Sequence, residues 1–138
     1  MIDHAAIIIK NKDQILFIKR SKYKKILPNI WSFPSGTQKE NETIFQTAER
    51  EAREELGVIV KAESLLTKKE LPEFNVILHF VVCSILEGIP DIRDHHEISE
   101  LSWLRSEEFF CKYTDEEIGH GLAHLRNLKS LQSQLFLF

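Results

Sequence analysis

The chain reads as an α/β protein of the α+β kind, a mixed β-sheet covered by helices on both faces. Three observations predict this. Runs rich in Ile, Val and Phe recur from the N-terminus to about residue 104 with strand patterning. Two segments with helical spacing, one ending at Gly57 and one opening near Thr114, interrupt or follow them. The run FNVILHFVVCSIL at 74–86 is apolar nearly throughout, as a central strand covered on both sides must be.

Residues 4–10 (HAAIIIK) and 14–20 (QILFIKR) read as strands joined by the turn Asn11-Lys12-Asp13. A basic loop, 21–30, ends in Pro28-Asn29, and a short strand follows at 31–33. Thr43 with Gln46 makes a capping box, Gly57 suits the C′ position, and Phe45, Ala48, Ala52 and Leu56 form an apolar stripe between them. Residues 58–70 and 74–86 are strands around Leu71-Pro72-Glu73. A loop from Gly88 to His96 leads to a strand at 98–104. Thr114 and Glu117 make a second capping box, opening a C-terminal helix with Ile118, Leu122, Leu125 and Leu128 on one side.

The chain has 138 residues, 43% hydrophobic and 28% charged, which bounds it to a single domain over 1–138 with a real core. A net charge of −3 argues against a general nucleic-acid binder, which would carry a basic face. Cys83 and Cys111 fit neither a metal pattern nor a disulfide framework, and Cys83 reads as a buried thiol. The start, Met1-Ile2-Asp3-His4, lacks a basic leader, and no apolar run approaches the ~18 residues of a membrane span. A cytoplasmic chain without membrane or nucleic-acid partners is the expectation.

The most informative stretch is 36–58, GTQKENETIFQTAEREAREELGV. Glu51, Glu54 and Glu55 lie at i, i+3 and i+4, so their carboxylates share one side of the helix. Glu54 and Glu55 also sit in its last turn, where the dipole disfavours anions. That side lies beside the apolar stripe rather than opposite it, where a cleft wall belongs. The alternative is an ordinary solvated face with Glu49–Arg53 and Arg50–Glu54 pairs. A cluster of carboxylates suits a hard divalent ion, Mg²⁺ or Mn²⁺, and hence phosphate chemistry.

The spacing resembles the signature of the Nudix hydrolases, the MutT-type superfamily: Gly36, Glu42, then Arg50-Glu51-Ala52-Arg53-Glu54-Glu55-Leu56-Gly57-Val58 fill every fixed position. Ala52 is a small choice at an aliphatic position. The preceding Trp31-Ser32-Phe33-Pro34-Ser35 is similar to the usual lead-in, with Ser35 replacing the commoner Gly. The resemblance implies an α-β-α sandwich with a mixed β-sheet. It implies Mg²⁺-dependent cleavage, with Mn²⁺ able to substitute, of a nucleoside diphosphate linked to another group. A nucleoside triphosphate, modified or not, giving monophosphate and pyrophosphate, is the leading expectation. A dinucleoside polyphosphate or ADP-ribose is the alternative, the former hinted at by Phe74 and the latter by Pro72. A non-catalytic nucleotide sensor is the rival from another class, disfavoured by an intact box.

The same resemblance assigns Glu54 and Glu55 to metal, Glu51 to metal or proton transfer, and Arg50 to orienting them. Glu42 would tie the loop to the helix. Gly36 would serve through an unusual turn conformation or a carbonyl on the metal. An acidic residue from the loop before 98–104 is also expected; Glu97 is the choice and Glu100 the fallback. Among substrate-binding candidates, Arg20 and Lys22 belong to the basic run Lys19 to Lys25, which suits outer phosphates. Trp31 is a candidate for stacking on a base, the alternative being core. His79 reads as a hydrogen-bonded core or cleft-wall residue and Trp103 as core. His120 and His124, i and i+4, lack a third metal ligand. The closing Leu135-Phe136-Leu137-Phe138 docks within the chain or at a dimer interface, leaving monomer or homodimer open.

Overall fold

In the computed structural model, which describes residues 1–128, seven strands form one mixed sheet with a helical layer on each face. The strands are β1 (Ile2–Asn11), β2 (Gln14–Arg20), β3 (Trp31–Ser32), β4 (Ser35–Thr37), β5 (Ile59–Leu71), β6 (Val76–Glu87) and β7 (Ile98–Leu104). The helices are α1 (Ile44–Leu56), α2 (Ser106–Lys112) and α3 (His120–Asn127). β6 lies between β1, which it pairs in parallel, and β5, which it pairs antiparallel. Its near-continuous apolar run is thereby explained.

β1 and β2 pair with each other only beside their turn, at Lys10–Ile15 and Asn11–Gln14. Farther on, β4 pairs β1 at His4–Ala6 and β3 pairs β2 at Ile18–Lys19. The segment 31–37 thus fills a wedge between the diverging strands. The wedge brings Gly36 beside the end of α1 that carries the carboxylates.

Alternation along β1 sorts the core into two layers, as period-2 patterning requires. Ala5, Ile7 and Ile9 face α1 with Ala48, Ala52, Leu56 and Val81. Ala6 and Ile8 face the other way, onto Phe17, Phe33, Phe80, Phe109, Leu122 and Leu125. Phe17 and Phe109 stack at 3.9 Å between ring centroids, 9° from parallel. Each fully buried ring of this kind contributes about 1.5–3 kcal/mol from area alone.

The first helix follows its sequence signals. Thr43 caps Gln46 N–H, the Gln46 side chain returns to Thr43 N–H, and Gly57 closes the helix at φ 68°. The second capping box also forms, at Thr114 and Glu117, but it closes only a single 3₁₀ turn, Asp115–Glu117. Sheet pairing overrides its continuation. Ile118 is extended and bridges Trp31, and Gly119 N–H donates to Trp31 O at 2.9 Å, so α3 starts afresh with Gly119 as its N-cap. Helix α2 was not anticipated, although Glu107 and Glu108 in its first turn and Lys112 in its last suit the dipole. The strand expected to begin at 74 begins at Val76, because Pro72–Phe74 forms a 3₁₀ turn. Cys83 is buried, and burial pushes its thiol up to about 12. The stretch Leu135 to Phe138 lies outside the described residues. Among the described residues no helix is long and apolar enough to cross a membrane.

Candidate active site

Arg50 organises the site. Its Nε donates to Glu42 Oε2 (3.1 Å) and its Nη2 to Glu42 Oε1 (2.8 Å) and Thr37 O (2.9 Å). Its Nη1 donates to Glu51 Oε1 (2.8 Å) and Glu54 Oε2 (3.2 Å). All five hydrogens of a guanidinium are accounted for by these bonds. Glu42 accepts further from Thr47 Oγ1 (2.8 Å) and Lys39 N–H (2.9 Å), and the Arg50 bonds above all hold its carboxyl down at about 2. The link between loop and helix expected of Glu42 is therefore present. Thr47, fully buried on the helix, was missed; a Thr in an amphipathic stripe gives no signal of its partner.

The three glutamates share a helix side but not an environment. Glu51 is half-buried and held by Arg50. Burial raises its carboxyl, opposed by the Arg50 hydrogen bond and charge. Glu54 is half exposed beyond the ion pair with Arg50. Glu55 is part-buried in the cleft, and its Oε2 atom is buried without a hydrogen-bond partner. Burial, then the charges of Glu51 and Glu97, push its carboxyl up to about 8, against a pull from Lys24. Of the alternative surface pairs, Arg50–Glu54 forms, but Glu49 instead accepts Ala62 N–H of β5 at 3.0 Å.

Gly36 is explained by space. It lies in β4 opposite Ala5, and a Cβ there would stand 2.0 Å from Glu51 Cδ. The unusual turn conformation expected for it is absent, because only close approach demands a missing side chain here.

Glu97 reaches the cleft from the loop before β7, lining it together with Glu55, Arg20 and Lys24. Glu100 pairs with Lys19 at 3.4 Å outside that cleft. Ser21 fixes the loop: its N–H donates to Glu97 O at 3.0 Å and its hydroxyl to His96 O. Ser21 is buried, and only its place at the foot of the basic run marked it. At the far end of α1, Asp91 and Arg93 N–H groups donate to Leu56 O (2.9 Å) and Glu55 O (3.1 Å), so the same loop closes the helix.

The basic loop divides differently from expectation. Lys22 is exposed, its ammonium 5.2 Å from the Tyr23 ring, and lines neither the cleft nor the cavity beside it; Lys24 is the lysine that enters, paired with Glu97 Oε2. A loop has no periodicity from which to choose between them. Arg20 lines both spaces, but its Nε and Nη2 donate to the carbonyls of Ile26 and Leu27, so it also holds the loop's far side. Burial lowers its guanidinium, with Glu97 and Glu55 opposing. Trp31 is a correction: it is buried against Phe109 and Tyr113, with no face on the cavity, because β3 pairs it into the sheet. Trp103 packs against the core on the α1 side. His79 is hydrogen-bonded to Asp3 at 2.8 Å.

Next to the polar cleft, and sharing His4, Arg20, Ser32, Phe33 and Ser35 with it, lies an apolar cavity of about 390 Å³. Phe74, Leu78, Phe80 and Leu122 line it, and Phe74 meets His120 at 5.3 Å between ring centroids. A volume of this size suits a small organic ligand.

A carboxylate-lined cleft thus adjoins an apolar cavity on an α-β-α sandwich. The comparisons agree in kind. A family model described as NUDIX domain matches residues 2–127, and the chain belongs to that family. It is 38% identical over 77 residues to the 8-oxo-dGTP diphosphatase of Buchnera aphidicola subsp. Acyrthosiphon pisum (strain APS), covering 54% of this chain and 60% of that protein. It is 33% identical over 78 residues to the 8-oxo-dGTP diphosphatase of Proteus vulgaris, covering 55% and 70%. The match therefore spans less than two thirds of the first relative's length. The MutT protein from Methanosarcina mazei Go1 shares the fold, with a TM-score of 0.69 over 97% of this chain and 91% of that one at 18% identity.

The family generally uses a divalent metal, and the residues here fit one. Glu55 holds a buried carboxylate oxygen without a partner, and Gly36 clears the space that Glu51 occupies. Among the described residues no three His, Cys, Asp or Glu side chains already converge as a donor set, since Arg50 draws Glu51 and Glu54 toward itself.

Proposed function

We propose that this chain hydrolyses a phosphoanhydride bond in a nucleoside diphosphate linked to another group, with Mg²⁺ as its metal and Mn²⁺ as a substitute. The substrate class is a nucleoside triphosphate, ordinary or modified, converted to monophosphate and pyrophosphate. The observation that carries this reading is the adjacency of the two spaces. The buried, unpartnered oxygen of Glu55 lies in a cleft that shares Arg20 with an apolar cavity sized for a nucleobase. The names of the two diphosphatase relatives support the same class.

In this reading Glu54 and Glu55 would hold the metal, with Glu97 and the Gly36 carbonyl as further donors, and an ion held there would neutralise phosphate charge and lower the pKa of water. Glu51 accepts the proton of the attacking water. Burial raises its proton affinity while Arg50 fixes its orientation. The water oxygen bonds to phosphorus as the bridging P–O bond breaks, and the leaving phosphate carries away the electron pair. Arg20 and Lys24 supply positive charge along the cleft, and Phe74 and His120 border the base. The protein acts as monomer or homodimer in the cytoplasm.

A substrate panel tests this. Nucleoside triphosphates, 8-oxo-dGTP, dinucleoside polyphosphates and ADP-ribose are incubated with the protein in Mg²⁺, with phosphate and pyrophosphate measured separately. Pyrophosphate release from a triphosphate, abolished by chelator, is expected. Turnover confined to the last two substrates would overturn the triphosphate assignment.

A further inference from the structure

Lys24 is the loop lysine whose pairing with Glu97 the proposed chemistry does not explain. Its ammonium sits on Glu97 Oε2, and its side chain is 25% exposed where neighbouring Lys22 and Lys25 are open to solvent. One buried hub sets both partners. Ser21 O accepts Lys24 N–H at 3.3 Å, Ser21 Oγ accepts Tyr23 N–H at 3.2 Å, and Ser21 N–H donates to Glu97 O at 3.0 Å. Tyr23 also lies against His96, ring centroids 4.7 Å apart, so the two loops are joined on both sides of the ion pair. The pair is thus built by backbone, not by chance meeting of two long side chains.

Charge gives it a purpose. Glu55 and Glu97 line one cleft, and the cations lining it are Arg20 and Lys24. Arg20 is tied to two carbonyls, whereas Lys24 is a flexible point charge. We propose that Lys24 is the cleft's resident counter-cation: it holds Glu97 while no metal is bound and releases it to a divalent ion, leaving its ammonium to face the substrate's phosphates. This rests on the metal-dependent reading above. An ammonium and a divalent ion compete for the same carboxylate oxygen, and the divalent charge wins. The released lysine stays in the cleft because Ser21 still anchors its backbone. The incoming polyphosphate is then the anion nearest to it.

The test is Mn²⁺ binding to the whole protein without substrate, read by the electron paramagnetic resonance of free Mn²⁺. Lys24→Met should bind Mn²⁺ about fivefold tighter, the factor equivalent to the ~1 kcal/mol of a part-exposed ion pair. Lys24→Arg should bind like wild type. In a Glu97→Gln background, Lys24→Met should tighten Mn²⁺ clearly less than fivefold, since only the ammonium's through-space effect on Glu55 remains once the carboxylate it holds is gone. Melting curves of all variants check that the loops remain folded. An unchanged or weaker Mn²⁺ Kd in Lys24→Met would overturn the proposal, as would a gain of the same size without Glu97. Wild type that binds no Mn²⁺ would overturn the metal reading itself and this inference with it.

Discussion

Arg50 and Glu42 meet as a two-bond fork, Nε on Oε2 at 3.1 Å and Nη2 on Oε1 at 2.8 Å, which ties α1 to the loop before it. The hydrogens left over reach Thr37 O, Glu51 and Glu54. One planar group therefore sets the position of β4, the loop and two carboxylates together. Lysine keeps the charge but loses the plane and two donors. Arg50→Lys should lower kcat by about 100-fold, the scale of a 1 Å misplacement, with KM little changed and a lower melting temperature. Wild-type kcat in a folded Arg50→Lys protein would mean that the carboxylates are positioned by something else.

The same fork has a pH signature. Hydrogen bonds from Arg50 hold Glu42 at about 2, below its ordinary 4.5, so the folded chain binds fewer protons there than the unfolded one. Its stabilising contribution is complete above 4.5 and is lost as pH falls toward about 2. The melting-temperature gap between wild type and Glu42→Gln should be widest near neutrality and close across that window. A gap independent of pH would assign the loss to packing rather than charge.

Glu55 carries the metal prediction. Glu55→Gln, and equally Glu54→Gln, should reduce kcat by at least about 100-fold, some 2.7 kcal/mol of barrier. In chelator the Glu55→Gln protein should melt no lower than wild type, because glutamine removes a carboxyl whose charge burial above all, and then Glu51 and Glu97, disfavours. Adding Mg²⁺ should raise the melting temperature of wild type and raise that of the variant less, as selective binding to the folded state requires. Full activity in Glu55→Gln would sink the assignment.

The sheet and α1 were legible because their signals are periodic, and the central strand because its run is apolar nearly throughout. Ala48, Ala52 and Leu56 fall on one helical stripe, and both caps of α1 are local chemistry. The C-terminal helix was legible in its Leu122 and Leu125 stripe, but its start and α2 were not, because a capping box reports where a turn can start and not how far it runs. Tertiary pairing of Ile118 with Trp31 ended that turn. The same pairing carried Trp31 into the core. In the site, the spacing from Gly36 to Gly57 marked the carboxylates and their arginine. It left unmarked whatever arrives by folding: Ser21 beneath Glu97, Thr47 on Glu42, and Lys24 rather than Lys22 in the cleft.

Glu97 and Glu100 separate a cleft carboxylate from a surface one. Glu97 lines the cleft with Glu55, and Glu100 pairs with Lys19 outside it, although both side chains are about half exposed. Glu97→Gln should lower kcat by about tenfold or more, roughly 1.4 kcal/mol, with KM nearly unchanged. Glu100→Gln should match wild type. The reverse pattern in steady-state kinetics would put the functional carboxylate on the other strand face.

Gly36→Ala probes the closest approach in the site. Gly36 lies in β4 and its φ is not positive, so alanine is tolerated by the backbone itself. The obstacle is the Glu51 side chain, whose Cδ, Cγ and Oε1 would lie 2.0, 2.2 and 2.3 Å from the added carbon. Glu51 cannot simply swing aside, because Arg50 Nη1 holds the same Oε1 at 2.8 Å. Gly36→Ala should therefore displace the Glu51 carboxylate, lower kcat by about tenfold or more and leave KM close to wild type. Shortening the obstructing chain separates the two costs. In a Gly36→Ala, Glu51→Ala protein the melting temperature should recover while kcat stays low, since alanine has neither the Cγ that meets the new methyl nor a carboxylate. Recovery of both would show that the Glu51 carboxylate is not needed and that Gly36 serves packing alone. A Gly36→Ala protein with wild-type kcat would show that Glu51 works from a position other than the one it occupies beside Arg50.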